Sequence, residues 1–312
     1  MNTRQQFHLG LVGFGEIGQA FGTALHANGL QHIRAFDPLL TGVDAASSPA
    51  AQAMRDCARA AQIRLVESHE ELACESQVIL SATPGAYTVL AAKALGPHLR
   101  AHHLILDLAS CTPALKCEAA AIVAESGASF VDGAIVGASS HGLGRRILTS
   151  GKAAARCREL LSPWQMNIDV LSGEVGSASA VKILRSIIMK GMEALVMECL
   201  LASTRYGITA DVVASLESSF QKPFSVLANS LAAGDVIHAA RRAEEVEMSA
   251  QTLIEVGLDP IVTRAVAERL RWVGRLGLTT HFEGQRPAGY REAIAAIEQA
   301  LARPGTGSGM GH

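Results

Sequence analysis

A doubly wound α/β sheet of mostly parallel strands, followed by an all-α region entered through one long helix, is the fold class this sequence predicts. Three observations carry it. A glycine-spaced turn follows the first apolar run directly, further short apolar runs alternate with helix-compatible stretches, and strand signals stop beyond about Gly173.

The first strand is predicted over residues 7–12, where apolar residues lead straight into Gly13-Phe14-Gly15-Glu16-Ile17-Gly18. A helix-compatible segment then runs to Asn28. In that context each glycine has a separate steric task. The first permits the strand-to-helix turn, the second lets backbone approach a pyrophosphate, and the third allows helix and strand to pack closely. The anion would be met by free N–H groups and the positive end of the helix dipole, so no side chain is required. Gly13, Phe14, Gly15, Glu16, Ile17 and Gly18 are therefore candidate cofactor-binding residues of a Rossmann-type dinucleotide domain.

A second apolar run, 32–36, ends in Asp37, close to the spacing of about 20 residues expected for a ribose-binding acid. A carboxylate there accepts hydrogen bonds from both adenosine ribose hydroxyls and repels a 2′-phosphate, so NAD is expected in preference to NADP. Arg34 is the one nearby cation that could reverse this, and an Asp-Pro turn would place the same carboxylate for purely local reasons. Further strands are predicted around residues 64–66, 78–81, 104–107 and 130–132, with helices over 50–62, 87–95 and 113–126 between them. Ligands in such a sheet gather at the carboxyl ends of the strands, which is where Thr83, Pro84 and Ser110 fall.

The chain of 312 residues is 49% hydrophobic and 18% charged, enough for two domains with substantial cores. Residues 1–172 are expected to form the NAD-binding domain, 173–303 a helical substrate and dimerisation domain, and 304–312 a flexible Pro/Gly/Ser tail. A formal net charge of −2 with no long basic run gives no footprint for nucleic acid or a membrane surface. The polar residues 1–6 leave no room for a signal peptide, so a cytoplasmic enzyme is expected, with six scattered cysteines kept reduced. His98, His102 and His103 lie beside a Gly-Pro turn without acidic or cysteine partners, and no metal site is expected.

Residues 177–206 contain no proline, and at about 1.5 Å per residue they could form a helix of roughly 45 Å. Its apolar positions cover much of the circumference, which predicts burial between domains or subunits and hence a homodimer or higher homo-oligomer. Lys182, Ser186 and Lys190 recur every four residues along one face. A solvated face would carry the same spacing, but a lysine beside a closed cleft loses hydration and moves toward the proton-transfer range. A second helix is framed by Asp235 and Gly257, a third starts at Asp259-Pro260 with Asp259 as N-cap, and a last one spans about 289–303.

The glycine loop, Asp107-Leu108-Ala109-Ser110-Cys111-Thr112-Pro113, Asp132-Gly133-Ala134-Ile135-Val136-Gly137-Ala138 and the run 173–182 occur in an order that resembles the β-hydroxyacid dehydrogenases. That family includes 3-hydroxyisobutyrate dehydrogenase and, more distantly, 6-phosphogluconate dehydrogenase. The match runs from Leu9 to about Pro260, as a divergent branch. The resemblance implies an NAD-dependent enzyme that moves a hydride between nicotinamide and a CH–OH/C=O group of a small hydroxyacid-like substrate. It makes Lys182 the general acid/base, with Ser110, Gly133, Ser186, Lys190 and His238 as substrate-binding candidates.

Two positions depart from the family pattern. Ser186 stands where an asparagine is usual, and Val136 stands where a serine usually holds the substrate carboxylate. Ser139, Ser140 and His141 could substitute for that serine. Around His238, the residues Arg241, Arg242 and Glu245 form either a salt-bridged surface or, through His238 or Arg242, an anion contact. An imine reductase, with a similar nucleotide domain and long helix, and a non-catalytic NAD-binding sensor are the alternative readings.

Overall fold

The structure is a computed structural model that describes residues 7–42, 48–137 and 142–303. By internal packing the chain divides into two compact units, the first ending at Ile187 and the second beginning at Ile188.

The first unit runs β1 (His8–Val12), α1 (Glu16–Ala27), β2 (His32–Phe36), α2 (Pro49–Ala60), β3 (Arg64–Leu65), α3 (His69–Cys74), β4 (Val78–Ser81), α4 (Thr88–Leu95), β5 (Leu104–Asp107), α5 (Pro113–Ala124), β6 (Ser129–Val136), β7 (Arg146–Ser150), α6 (Ala154–Leu161) and β8 (Ile168–Val170). The strands form one eight-stranded sheet in the order β3-β2-β1-β4-β5-β6-β7-β8. Every pairing is parallel except that of β6 with β7. Separate apolar clusters cover the strands, which read as near-continuous apolar runs. β1, β4 and β5 are accordingly almost wholly buried.

Three of the anticipated strands match the observed bounds, and the core of the sheet follows the anticipated order. β7, β8, α3 and α6 were not anticipated. β7 pairs antiparallel on β6, the strand just before it, and the periodicity within a strand does not give the direction of its pairing.

The second unit continues α7 (Ser177–Tyr206), whose first turns belong to the first unit, and adds α8 (Thr209–Phe220), α9 (Phe224–Glu255), α10 (Ile261–Arg275), α11 (Leu278–His281) and α12 (Tyr290–Leu301). α7 has the predicted bounds. α9 starts well before Asp235, which lies inside the helix and pairs with Arg242. An acidic residue marks a helix start only where N–H groups are free, and at Asp235 they are already bonded within the helix. The tail 304–312, expected to be flexible, lies outside the described residues.

The start of α10 also differs from expectation. Pro260 occupies the N-cap position without a side-chain bond, and Asp259 pairs with Arg264. The cap comes instead from α7. Glu198 accepts from the N–H of Val262 at 2.7 Å, the N–H of Thr263 at 3.0 Å and the Thr263 hydroxyl at 2.6 Å. A carboxylate at a helix N-terminus satisfies orphan donors and complements the helix dipole. Burial acts to raise the Glu198 pKa, but these three hydrogen bonds outweigh it and hold the group below its ordinary value.

Replacing Glu198→Ala is therefore expected to destabilise the protein by about 1 kcal/mol, within the range for loss of a helix cap. Because the folded pKa is depressed, this contribution is present above the ordinary glutamate value of 4.5 and disappears as pH falls through the lower folded value. Urea unfolding of parent and variant should differ at pH 7 and converge in acid; a difference that persists unchanged at low pH would contradict the assignment.

Candidate active site

At the carboxyl ends of the strands the glycine loop is built as the sequence predicts. Gly13 has φ +86°, and a Cβ there would sit 2.9 Å from the Ala82 carbonyl oxygen, so only glycine fits the turn between β1 and the loop after β4. Gly15 faces open space, with no atom within 4 Å of a Cβ built on it. A Cβ on Gly18 would meet the Gly13 carbonyl oxygen at 2.1 Å, which enforces close contact of α1 with the loop. The first turn of α1 has no side-chain cap, which leaves N–H groups available to an anion. Phe14 differs from its neighbours, since its ring is buried in the core and its N–H is already bonded. Glu16 is exposed, with Arg145 4.0 Å away, and Ile17 packs against the core.

Asp37, buried at the end of β2, accepts that Phe14 N–H at 2.8 Å through Oδ2 and the Leu39 N–H at 3.0 Å through Oδ1. The turn-forming and ribose-binding readings of Asp37 are thus compatible, because each carboxylate oxygen keeps a lone pair for a hydroxyl donor. Arg34 is ion-paired with Glu75 and lies 3.2 Å from His8 Nδ1. Both partners stand at the amino ends of the strands, so Arg34 is directed away from Asp37.

β1 and β4 lie side by side where the strand order reverses, and there the loop bearing Thr83 and Pro84 meets the glycine loop. Among the described residues the buried Thr83 Oγ1 has no hydrogen-bond partner. Gly85 packs so tightly on Ser110 that a Cβ would lie 2.1 Å from the Ser110 carbonyl oxygen. The structure thereby brings Gly13, Asp37, Thr83 and Ser110 to one edge. An unpartnered buried hydroxyl, an open glycine and uncapped helix N–H groups fit a dinucleotide.

Beside this edge is a buried ionic node that sequence reasoning missed. Lys116 on α5 has no exposed side-chain surface, and its ammonium lies 2.8 Å from Asp107 Oδ1, 2.8 Å from the Asp107 carbonyl oxygen and 3.5 Å from Asp132 Oδ1. Strand register sets Ser81, Asp107, Asp132 and Ser150 in one row across β4, β5, β6 and β7. Two buried carboxylates in adjacent strands require a cation, and that pairing was the available signal. Within a predicted helix, Lys116 itself reads as an ordinary surface lysine.

Lys182, near the start of α7, is half-buried. Loss of hydration and the neighbouring Lys116 charge lower its pKa, with Cys111 opposing. The Ser186 hydroxyl donates to the Lys182 carbonyl at 3.0 Å. Gly133 lies inside β6, where Leu106 and Leu108 would each be 2.8 Å from a Cβ, and its carbonyl is 3.4 Å from Lys116. Val136 joins an apolar cluster with Ala134, Leu148, Ala178 and Leu171. Ser139, Ser140 and His141 lie outside the described residues.

Lys190 and His238 belong to the second unit. Lys190 is exposed and donates to Glu193 at 2.9 and 3.0 Å. His238 is partly buried on α9, between Asp235 and Arg242, which pair with each other, and an exposed Arg241–Glu245 pair lies beside them. His103 accepts from the Arg100 N–H at 2.7 Å and approaches the Ala73 carbonyl at 2.9 Å, so backbone engages both ring nitrogens.

Residues 8–168 match the model for the NAD binding domain of 6-phosphogluconate dehydrogenase. The chain belongs to that family. Residues 204–273 match a second family, described as a domain of unknown function, DUF1932. The conserved protein MTH1747, described as structurally similar to 3-hydroxyacid dehydrogenases, is 29% identical with TM-score 0.59, covering 86% of this chain and 98% of that one. An uncharacterized 28.5 kDa protein of Methanothermus fervidus is 25% identical over 68% of this chain and 81% of its own length. The imine reductase of Myxococcus stipitatus shares the fold at 18% identity. Its V8 variant with NAD+ has TM-score 0.70 over 93% of this chain and 99% of that one, and its complex with NADP+ has TM-score 0.68. The family and the site define an NAD-binding oxidoreductase fold with a helical second region.

Two glycine variants separate ligand approach from packing. Gly15→Ala should leave thermal stability nearly unchanged while weakening dinucleotide binding at least about tenfold, because the methyl enters the space where backbone must approach phosphate. Gly18→Ala should lower the melting temperature as well, since its Cβ overlaps the Gly13 carbonyl. Equal binding by Gly15→Ala and the parent in fluorescence titration would count against this placement of the phosphates.

Proposed function

We propose that this protein is an NAD-dependent dehydrogenase or reductase acting on a CH–OH/C=O pair of a small hydroxyacid-like or related alcohol substrate, with Lys182 as general acid/base. The observation that carries the reading is Lys182 itself, a half-buried amine whose charged form is disfavoured by lost hydration and by Lys116. A lowered pKa increases the share of neutral amine that can take an alcohol proton, and its conjugate acid returns the proton in reduction. Nicotinamide, when bound, supplies or accepts the hydride. The uncapped start of α1 and the open Gly15 suit the pyrophosphate, Asp37 suits the ribose hydroxyls, and Thr83, Pro84 and Ser110 border the same edge. The apolar residues of α7 exposed on a single chain, among them Ile188, Met192, Val196 and Leu201, favour a homo-oligomer built through the helical region.

NAD is preferred in this reading because Asp37 opposes a 2′-phosphate and Arg34 is engaged by Glu75 at the other end of β2. A second reading, reduction of a C=N bond, is favoured by one observation. Val136 packs into an apolar cluster where the resembled family places its carboxylate-holding serine, which suits a substrate without an acid group.

Lys182→Ala should lower kcat by about two to four orders of magnitude, the usual range for a lost acid/base, with dinucleotide affinity held within a few-fold. NADH absorbance with a panel of hydroxyacids, alcohols and cyclic imines measures both the loss and the substrate class. Oxidation by the parent should increase as pH rises through the lowered lysine pKa, and carbonyl reduction should decline over the same window. Undiminished turnover in the variant would defeat the assignment, and activity confined to imines would select the second reading. A clear preference for NADP in steady-state kinetics would overturn the role given to Asp37.

A further inference from the structure

The node around Lys116 holds more polar groups than one salt bridge needs, and the surplus is directed at a single element, the first turn of α7. A helix start normally receives its capping oxygen from its own N-cap side chain. Gly176, just before α7, has none and stands at φ +98°. The sheet supplies the oxygens instead. Asp132 Oδ2 accepts the N–H of Gly176 at 3.1 Å and of Ser179 at 2.9 Å, and Oδ1 accepts the Ser179 hydroxyl at 2.6 Å. The Ser150 hydroxyl donates to Asp132 at 3.1 Å and accepts the Ala178 N–H at 3.0 Å. Asp132 and Ser179 are almost wholly buried, so these bonds form where water cannot compete.

Lys182 follows Ser179 by three residues and therefore shares its helix face. Lys116 cannot swing away from this neighbourhood, because Asp107, Asp132 and the Gly133 carbonyl hold its ammonium. In the first unit the titratable groups acting on Lys182 are Lys116 on α5 and Cys111 in the loop before it, and on its own helix Arg185 is exposed.

We propose that Asp132, held by Lys116 and Ser150, is a positioning residue for Lys182, anchoring the first turn of α7 to the sheet so that the amine stays out of water and beside Lys116. This inference rests on Lys182 being the acid/base. A cap that only stabilised the helix would affect melting temperature, whereas a positioning device also sets the ionisation of the amine.

Competitive labelling with acetic anhydride as a function of pH, read by mass spectrometry on the full chain, reports the Lys182 amine without any substrate. Ser179→Ala removes the 2.6 Å bond and leaves every charge in place. It should move the Lys182 labelling midpoint upward toward that of an ordinary lysine, shift the rising limb of the oxidation profile to higher pH, and lower kcat by roughly tenfold with little change in KM for the dinucleotide. Ser179→Thr, which keeps the hydroxyl, should restore the midpoint. Lys116→Met should move it the same way, since a neighbouring positive charge is lost; if that variant does not fold, the Ser179 pair decides alone. A folded Ser179→Ala protein whose Lys182 midpoint and pH profile match the parent overturns the proposal. Turnover surviving in Lys182→Ala would remove the acid/base reading and leave the labelling midpoints to judge the positioning by themselves.

Discussion

The first unit depends on one buried cation. Lys116 lies between Asp107 and Asp132, carboxylates on adjacent strands that strand register forces side by side. Without the ammonium the pair would be two like charges out of water, a state that neighbouring apolar packing cannot compensate. With it, β5, β6 and α5 are tied together, and Asp132 keeps a second set of lone pairs for the start of α7. A single electrostatic requirement thus joins the edge of the sheet to the helix that carries Lys182.

Next to that node the nucleotide edge is set by sterics more than by charge. Gly13 and Gly18 leave no room for a Cβ, while Gly15 leaves a great deal, so one short turn is packed against protein on two sides and open on the third. Asp37 ties the loop to the end of β2 through the Phe14 N–H. The match to an NAD-binding domain spans the residues that form this edge.

The second unit follows a different rule. Its helices pack on one another, and α10 is capped by Glu198 from α7, so a charge crosses between elements where a local cap is missing. Much of the apolar surface of α7 to α9 stays exposed on the single chain. In the first unit Val136 lies in an apolar cluster and Ser186 bonds back to its own helix.

Strands β1 to β6, the glycine turn, the place of Asp37 at the end of β2 and the full length of α7 were legible in the sequence, because each is fixed by local sterics or by periodicity within a few residues. Lys182 was singled out through the resemblance rather than through spacing. The capping of α10 by Glu198, the early start of α9, the reversed strand β7 and the burial of Lys116 were not legible. Glu198 meets the start of α10 from 64 residues earlier and Lys116 meets its carboxylates only once β5, β6 and α5 pack, and a lysine in a helix or a glutamate in mid-helix looks the same whether its partner is water or a group on another element. The sequence by itself determined strands β1 to β6, the glycine turn between β1 and α1, and the extent of α7, because local sterics and periodicity fix each of them. Only the tertiary structure decided which charges are buried together, because register and packing, not composition, bring Asp107, Asp132 and Lys116 within reach of one another.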